Sequence, residues 1–297
     1  MTQVTAEGSG AGVAVAVPRL KAAPTRWRLL LKRPTFLIGA AIVLFWIVCA
    51  VFGRQIAAYS PLSQQLLGTN AAPSGAHWFG TDSLGRDVLA RVIVGSREIL
   101  IVTPLATLLG TVLGTVLGLA MGYFGGAFDL IVGRFVEAVL ALPAVIVAFL
   151  FIVALGPSVP TLIVVIGLIF TPLIARTVRS SVLTERHLDY LASARLLGEN
   201  PARIMFAEIL PNVLPSILVE FTVRLGYAIF TVATLSFLGF GIQPPTPDWG
   251  ADIAYANTNN ALISGYWWQV LFPALAIASL VIAINLITDS IEQVLAS

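Results

Sequence analysis

Glu220 and Arg224 stand four residues apart in a run that is otherwise apolar enough to lie in hydrocarbon. An acid and a base at that spacing share one helix face and can neutralise each other along it. Ionisable groups at membrane depth are expensive and point by default to a function, here contact with a polar substrate. The alternative is a structural pair holding a bundle together. Arg134 and Glu137 form a second pair near one end of another apolar run, where snorkelling is cheap and structural pairing is the simpler reading.

Other chemistries are excluded by what is missing. A phosphate-binding loop needs G-x-x-x-x-G-K-[ST], with the lysine reaching the phosphates. The only lysines are Lys21 and Lys32, neither in such a motif, so ATP hydrolysis is not expected in this chain. His77 and His187 lie far apart in sequence and outside the apolar runs, with no Cys/His cluster, so no bound metal is expected. An intramembrane protease would need a nucleophile and base within spans, and neither histidine is in one. Cys49 is the single cysteine, and no intrachain disulfide can form.

The elements that carry these residues follow from composition. With 58% hydrophobic and 11% charged residues, a chain of 297 residues has too little polar surface for a soluble core. Apolar runs of membrane length predict an all-α polytopic membrane protein with six spans: Phe36–Phe52, Ile99–Tyr123, Leu130–Leu155, Val159–Ala175, Ile209–Leu238 and Val270–Ile287. The residues before position 34 are expected to be a partly disordered tail. Its weakly apolar start has no basic region ahead of it, which disfavours a cleaved signal peptide. Residues 34–297 form one membrane domain.

Lysine and arginine placement sets the orientation. Arg19, Lys21, Arg26, Arg28, Lys32 and Arg33 precede the first span, while Arg176, Arg179, Arg186, Arg195 and Arg203 fall between the fourth and fifth. Only Arg54, Arg86, Arg91 and Arg97 lie on the other side, so both termini are expected in the cytoplasm.

The polar stretch at about 185–208 then faces the cytoplasm. Leu191, Ala194 and Leu197 share a helix face beside Tyr190, and Asp189 opens the helix. Gly198 suits a left-handed cap, and Asn200-Pro201 starts a second helix, with asparagine as N-cap and proline in the first turn. A short helix, a sharp turn and a helix returning to the membrane admit two readings. One is a helix lying on lipid headgroups. The other is a knob that docks into a partner, favoured by the small residues Ala192, Ser193, Ala194 and Gly198.

Two further features are structural or functional by context. Gly110, Gly114, Gly118 and Gly122 line one face of the second span and let another backbone approach closely, within the bundle or across a subunit boundary. The stretch from Gly241 to Gly250 is too proline-rich for helix and predicts a stiff extended loop. Gln243, Pro244, Pro245, Asp248 and Trp249 on it are candidates to meet an outer partner; Trp249, Trp267 and Trp268 also suit an interface belt.

Ala192-Ser193-Ala194, three residues, Gly198, nine residues and Glu208-Ile209-Leu210-Pro211 resemble the E-A-A-x3-G-x9-I-x-L-P loop of ABC importer permeases. Ala192 stands where that pattern has Glu, and Glu208 where it has Ile. The stretches His77–Arg97, Leu235–Ile253 and Pro273–Asp289 are similar to the C-type subunit of the peptide/nickel group, and the resemblance runs from about residue 30 to the end.

The resemblance implies a type I importer permease fold with six helices and a coupling helix that sits on an ATPase. It implies a homologous B-type permease, two ATPase subunits that hold ATP and Mg, an extracytoplasmic solute-binding protein, and residence in the bacterial inner membrane. Di- or oligopeptides are the expected cargo, with nickel, glutathione, opines or another small solute as alternatives. No cofactor is expected in this chain and no nucleic acid among its partners. A lone, ion-coupled secondary transporter using Glu137 or Glu220 is the reading from another class, and it leaves the Gly198–Pro201 turn unexplained.

Overall fold

The computed structural model describes residues 30–295, so all but the last residues of the expected tail fall outside the description. The described residues form helices joined by loops, with no strand among them and one isolated bridge between Thr81 and Asp87. In chain order the helices are α1 Pro34–Ile56, α2 Val88–Phe124, α3 Gly126–Leu140, α4 Ala144–Leu155, α5 Val159–Glu185, α6 Asp189–Leu196, α7 Pro201–Phe237, α8 Trp249–Thr258 and α9 Trp268–Leu295. Helices α1, α2, α5, α7 and α9 are each long and apolar enough to cross a membrane.

The third expected span is corrected to a broken one. Helices α3 and α4 meet at 87°. Pro143 stands at the N-cap of α4 and lacks an N–H, and it disfavours helical geometry at Leu142 before it. Two other spans are longer than their apolar cores. Helix α2 begins at Val88 and α5 runs on to Glu185, so Arg91, Arg97, Arg176 and Arg179 sit on helices rather than loops. The 37 residues of α2 extend about 55 Å, well beyond about 30 Å of hydrocarbon.

Helices α2 and α5 form the tightest pair, and the glycine stripe explains it. A Cβ added at Gly110 would lie 2.8 Å from the Gly167 carbonyl, and one at Gly118 would lie 2.6 Å from that of Ala175. Gly114 and Gly122 meet Ile174 and Val182 in the same way. The stripe thus faces a neighbour within the chain. Thr103, Thr107 and Thr111 are buried on α2 and satisfy their hydroxyls on carbonyls four residues back.

At the end of the bundle that holds α8, the long loop before α2 folds into an ordered cap. Asp87 is the N-cap of α2, accepting from the Ala90 N–H at 2.7 Å, and its other oxygen lies 2.7 Å from His77 Nδ1. Arg91 forms an ion pair with Asp252 of α8, and the Arg86 guanidinium lies over the Tyr255 ring. Trp268 donates to the Thr81 carbonyl at 3.0 Å and Trp249 to that of Val92 at 2.8 Å.

That cap corrects several expectations. The proline-rich stretch stays out of helix only as far as Asp248, and α8 begins at Trp249. Trp249 is 1% exposed and Asp248 caps α8, accepting from the Ala251 N–H at 2.8 Å. Neither is free to meet an outer partner. Trp268 is buried as well, so of the three tryptophans only Trp267 stays exposed enough for an interface belt. Gln243, Pro244 and Pro245 remain on the surface.

Candidate functional site

The polar turn at the opposite end is built as its sequence suggests, with one face reassigned. Gly198 has φ +70°; its N–H donates to the Arg195 carbonyl at 3.1 Å, and that of Glu199 to Ala194 at 3.2 Å. These two bonds form the left-handed helix stop that glycine favours. Asn200 then caps the next helix, its Oδ1 accepting from the Ala202 N–H at 2.8 Å, with Pro201 in the first turn.

Leu191, Ala194 and Leu197 were expected on one face, and the structure separates them. Leu191 is 0% exposed and Ala194 is buried, both in the hydrophobic core, while Leu197 is 80% exposed. The reason is geometric: Leu197 is the C-cap residue, past the last full turn of an eight-residue helix. The exposed surface of the turn is therefore Asp189, Ala192, Ser193, Arg195, Leu196, Leu197, Gly198, Asn200 and Pro201.

Contacts that the motif did not foretell hold this turn in place. The Tyr190 hydroxyl donates to Glu185 at the end of α5 and accepts from Asn212 of α7, each at 2.9 Å. Burial pushes the Tyr190 phenol up from its ordinary pKa, with the Asn212 bond opposing and Glu185 assisting. Arg195 lies over the Tyr123 ring at 5.3 Å, tying the turn to the end of α2. The second helix passes through a π-helical turn, Ile204–Ile209, before becoming regular α-helix. No local signal in the sequence marks that turn.

The other candidate lies along α7. Arg224 Nε donates to Glu220 Oε1 at 2.6 Å, and the guanidinium sits 5.4 Å from the Tyr227 ring centre. The pair is half-buried and paired within its own helix. It continues a polar stripe through Tyr227, Thr231 and Thr234 at alternating spacings of four and three residues. Tyr227 is 57% exposed, so this chain leaves that face uncovered. The spacing was readable in the sequence beyond Arg224 and is the signal that extends the candidate site. By contrast, Arg134 and Glu137 are loosely paired at 3.4 Å and largely exposed, so they hold no bundle together within this chain.

Among the described residues no group of three or more His, Cys, Asp or Glu is placed to hold a metal ion. Helices long and apolar enough to cross a membrane, with a paired charge on an open helix face and a clamped polar turn, define a multi-pass membrane protein. The chain belongs to the family of binding-protein-dependent transport system inner membrane components, whose model matches residues 114–297. Residues 25–73 match the N-terminal transmembrane domain of oligopeptide transport permease C, which makes it a C-type permease of an ABC importer.

Two relatives align over most of their length. The dipeptide transport system permease protein DppC of Bacillus subtilis is 36% identical over 279 residues, covering 94% of this chain and 86% of the relative. The glutathione transport system permease protein GsiD of Escherichia coli O157:H7 is 36% identical over 270 residues, covering 91% and 88%.

Proposed function

We propose that this permease forms half of a translocation path for di- or oligopeptides and transmits the work of ATPase subunits through the turn at residues 189–201. The observation that carries the reading is the clamped turn: Leu191 and Tyr190 anchor it while Leu196 and Leu197 project outward. Two leucines at 89% and 80% exposure, on a segment whose charged residues are Asp189, Arg195, Glu199 and Arg203, fit a protein cleft better than open solvent.

In this reading a homologous permease covers the open face of α7, so Glu220, Arg224 and Tyr227 line a path completed by both subunits. A free peptide offers an ammonium and a carboxylate, which the carboxylate and guanidinium complement. The dipeptide and glutathione relatives both take their names from peptides with such ends, which supports this cargo class. Two ATPase subunits supply ATP and Mg chemistry, since this chain holds no phosphate-binding loop. Gln243, Pro244 and Pro245 face an extracytoplasmic binding protein, and both termini lie in the cytoplasm.

The test is uptake of labelled dipeptide by proteoliposomes holding the complete complex with its binding protein. Uptake that requires ATP and is competed by other dipeptides is expected. Uptake under an ion gradient without ATP would overturn the importer mechanism, and competition by nickel alone would overturn the cargo.

A further inference from the structure

The elbow between α3 and α4 opens a cavity of about 420 Å³ against α5. Its walls are apolar, among them Phe135, Phe151, Val164 and Leu168, and these side chains are all exposed. A second cavity of about 520 Å³ adjoins it through the shared Val136 and is lined by charged groups. Apolar and charged spaces therefore run on from one another along one side of α5.

The charges in the second cavity do not cancel. Arg179 is engaged by Asp129 through two hydrogen bonds at 2.5 and 2.6 Å. Arg134 and Glu137 form the loose pair described above. Arg176 is exposed and has no hydrogen-bond or ion-pair partner among the described residues. Three arginines against two carboxylates leave one positive charge in excess.

The distances along α5 match one leaflet. Leu168 and Val164 precede Arg176 by eight and twelve residues, so they lie about 12 and 18 Å from it along the helix. One leaflet contributes about 15 Å of hydrocarbon. A cation at headgroup level with an apolar channel of that depth beside it complements a phosphate joined to an acyl chain.

We propose that this composite groove is a binding site for an anionic phospholipid, its phosphate on Arg176 and Arg134 and one chain in the elbow against Leu168. The bound lipid fills a space that this chain does not close itself and props the bent pair against α5. The site rests on the permease reading only in being assigned to the cytoplasmic leaflet.

The experiment uses the assembled complex in detergent and phosphatidylglycerol carrying a photoreactive diazirine in its chain. Labelling of the peptide that spans Val164 to Leu168 is expected. Unlabelled phosphatidylglycerol should compete at least tenfold better than phosphatidylcholine on the wild-type protein, which requires no variant to fold. Arg176→Gln should lower the labelling at least fivefold, and Arg54→Gln, at the other end of the bundle, should leave it unchanged. Equal competition by the two lipids, or labelling indifferent to Arg176→Gln, would reduce the groove to ordinary lipid contact and overturn the proposal. So would a disulfide trapped between Leu168→Cys and a second permease in native membranes, because a protein helix would then occupy the groove. Co-purification of partner subunits, scored in the same sample, tests the permease reading separately.

Discussion

The Tyr190 hydroxyl lies 2.9 Å from Asn212 Nδ2, and through it the short helix α6 is pinned to α7 about three turns from its start. Its second bond, to Glu185, pins the same helix to the end of α5. A turn fastened to two membrane-spanning helices moves with both of them, as a lever carrying force between a docked partner and the bundle must. Tyr190→Phe removes both hydrogen bonds and leaves the ring in place, a loss of about 1 kcal/mol for each bond. The complex should assemble normally while the peptide transported per ATP hydrolysed falls several-fold. An unchanged ratio would show that the clamp carries no load.

Gly198 needs its left-handed backbone, but a side chain there would meet open space. Gly198→Ala therefore strains only the turn, by about 1–2 kcal/mol. Gly198→Glu adds a charge to the docking face. Transport-stimulated ATP hydrolysis should fall partly in the first variant and be abolished in the second. Normal stimulation in Gly198→Glu would refute docking at this turn.

Close approach of α2 and α5 makes the glycine stripe intolerant of size. Gly118→Leu puts a side chain where even a Cβ would lie 2.6 Å from the Ala175 carbonyl. Overpacking of this kind destabilises by about 1–3 kcal/mol or more. Melting of the detergent-extracted complex should drop by several degrees, whereas Gly75→Ala, with no atom near its new Cβ, should match wild type. Equal melting of the two variants would contradict the packing account.

How much of this was legible in the sequence depends on the range of the cause. The spans, the Gly198 stop and the Asn200 cap are set by neighbours within a few residues, and the pattern of residue types reveals them. The elbow had a local signal too, Pro143, but the apolar run continues through it and reads as one span by length and hydropathy. The burial of Trp249 and Asp248 rests on partners far away, Val92 and Ser236, that no local pattern links to them. The Tyr190 clamp escaped for the same reason, since Asn212 lies twenty-two residues on.

Glu220 and Arg224 give a prediction about selectivity. Replacing them together, Glu220→Gln with Arg224→Leu, removes the charges while sparing the apolar packing of α7. The relative rates for peptides with free and with blocked termini should shift by about an order of magnitude, with assembly intact. Loss of assembly with no change in preference would make the pair structural.

Asp248 supplies a pH dependence. Burial raises its carboxyl from 3.8 to about 6, against the opposing Ala251 N–H and Ser236 hydrogen bonds. A folded-state pKa above the unfolded value gives stability that is complete below about pH 4 and is lost as pH rises through about 6. A shift of this size corresponds to about 3 kcal/mol. Asp248→Asn keeps a good N-cap and removes the titration. The melting temperature of the variant minus that of wild type should rise between pH 4 and pH 6.5 and then level off. A difference flat across that range would contradict the raised pKa.

Docking of the turn at 189–201 on an ATPase subunit, as opposed to rest on headgroups, puts Leu197 against protein. Cysteine cross-linking in native membranes tests it most directly, after Cys49→Ala removes the only native thiol. A cysteine placed by Leu197→Cys should cross-link in high yield to a nucleotide-binding subunit, and one placed by Leu191→Cys, in the buried core, should not. If Leu197→Cys instead resists cross-linking and is labelled by a lipid-phase reagent, the turn rests on the membrane and the coupling account fails.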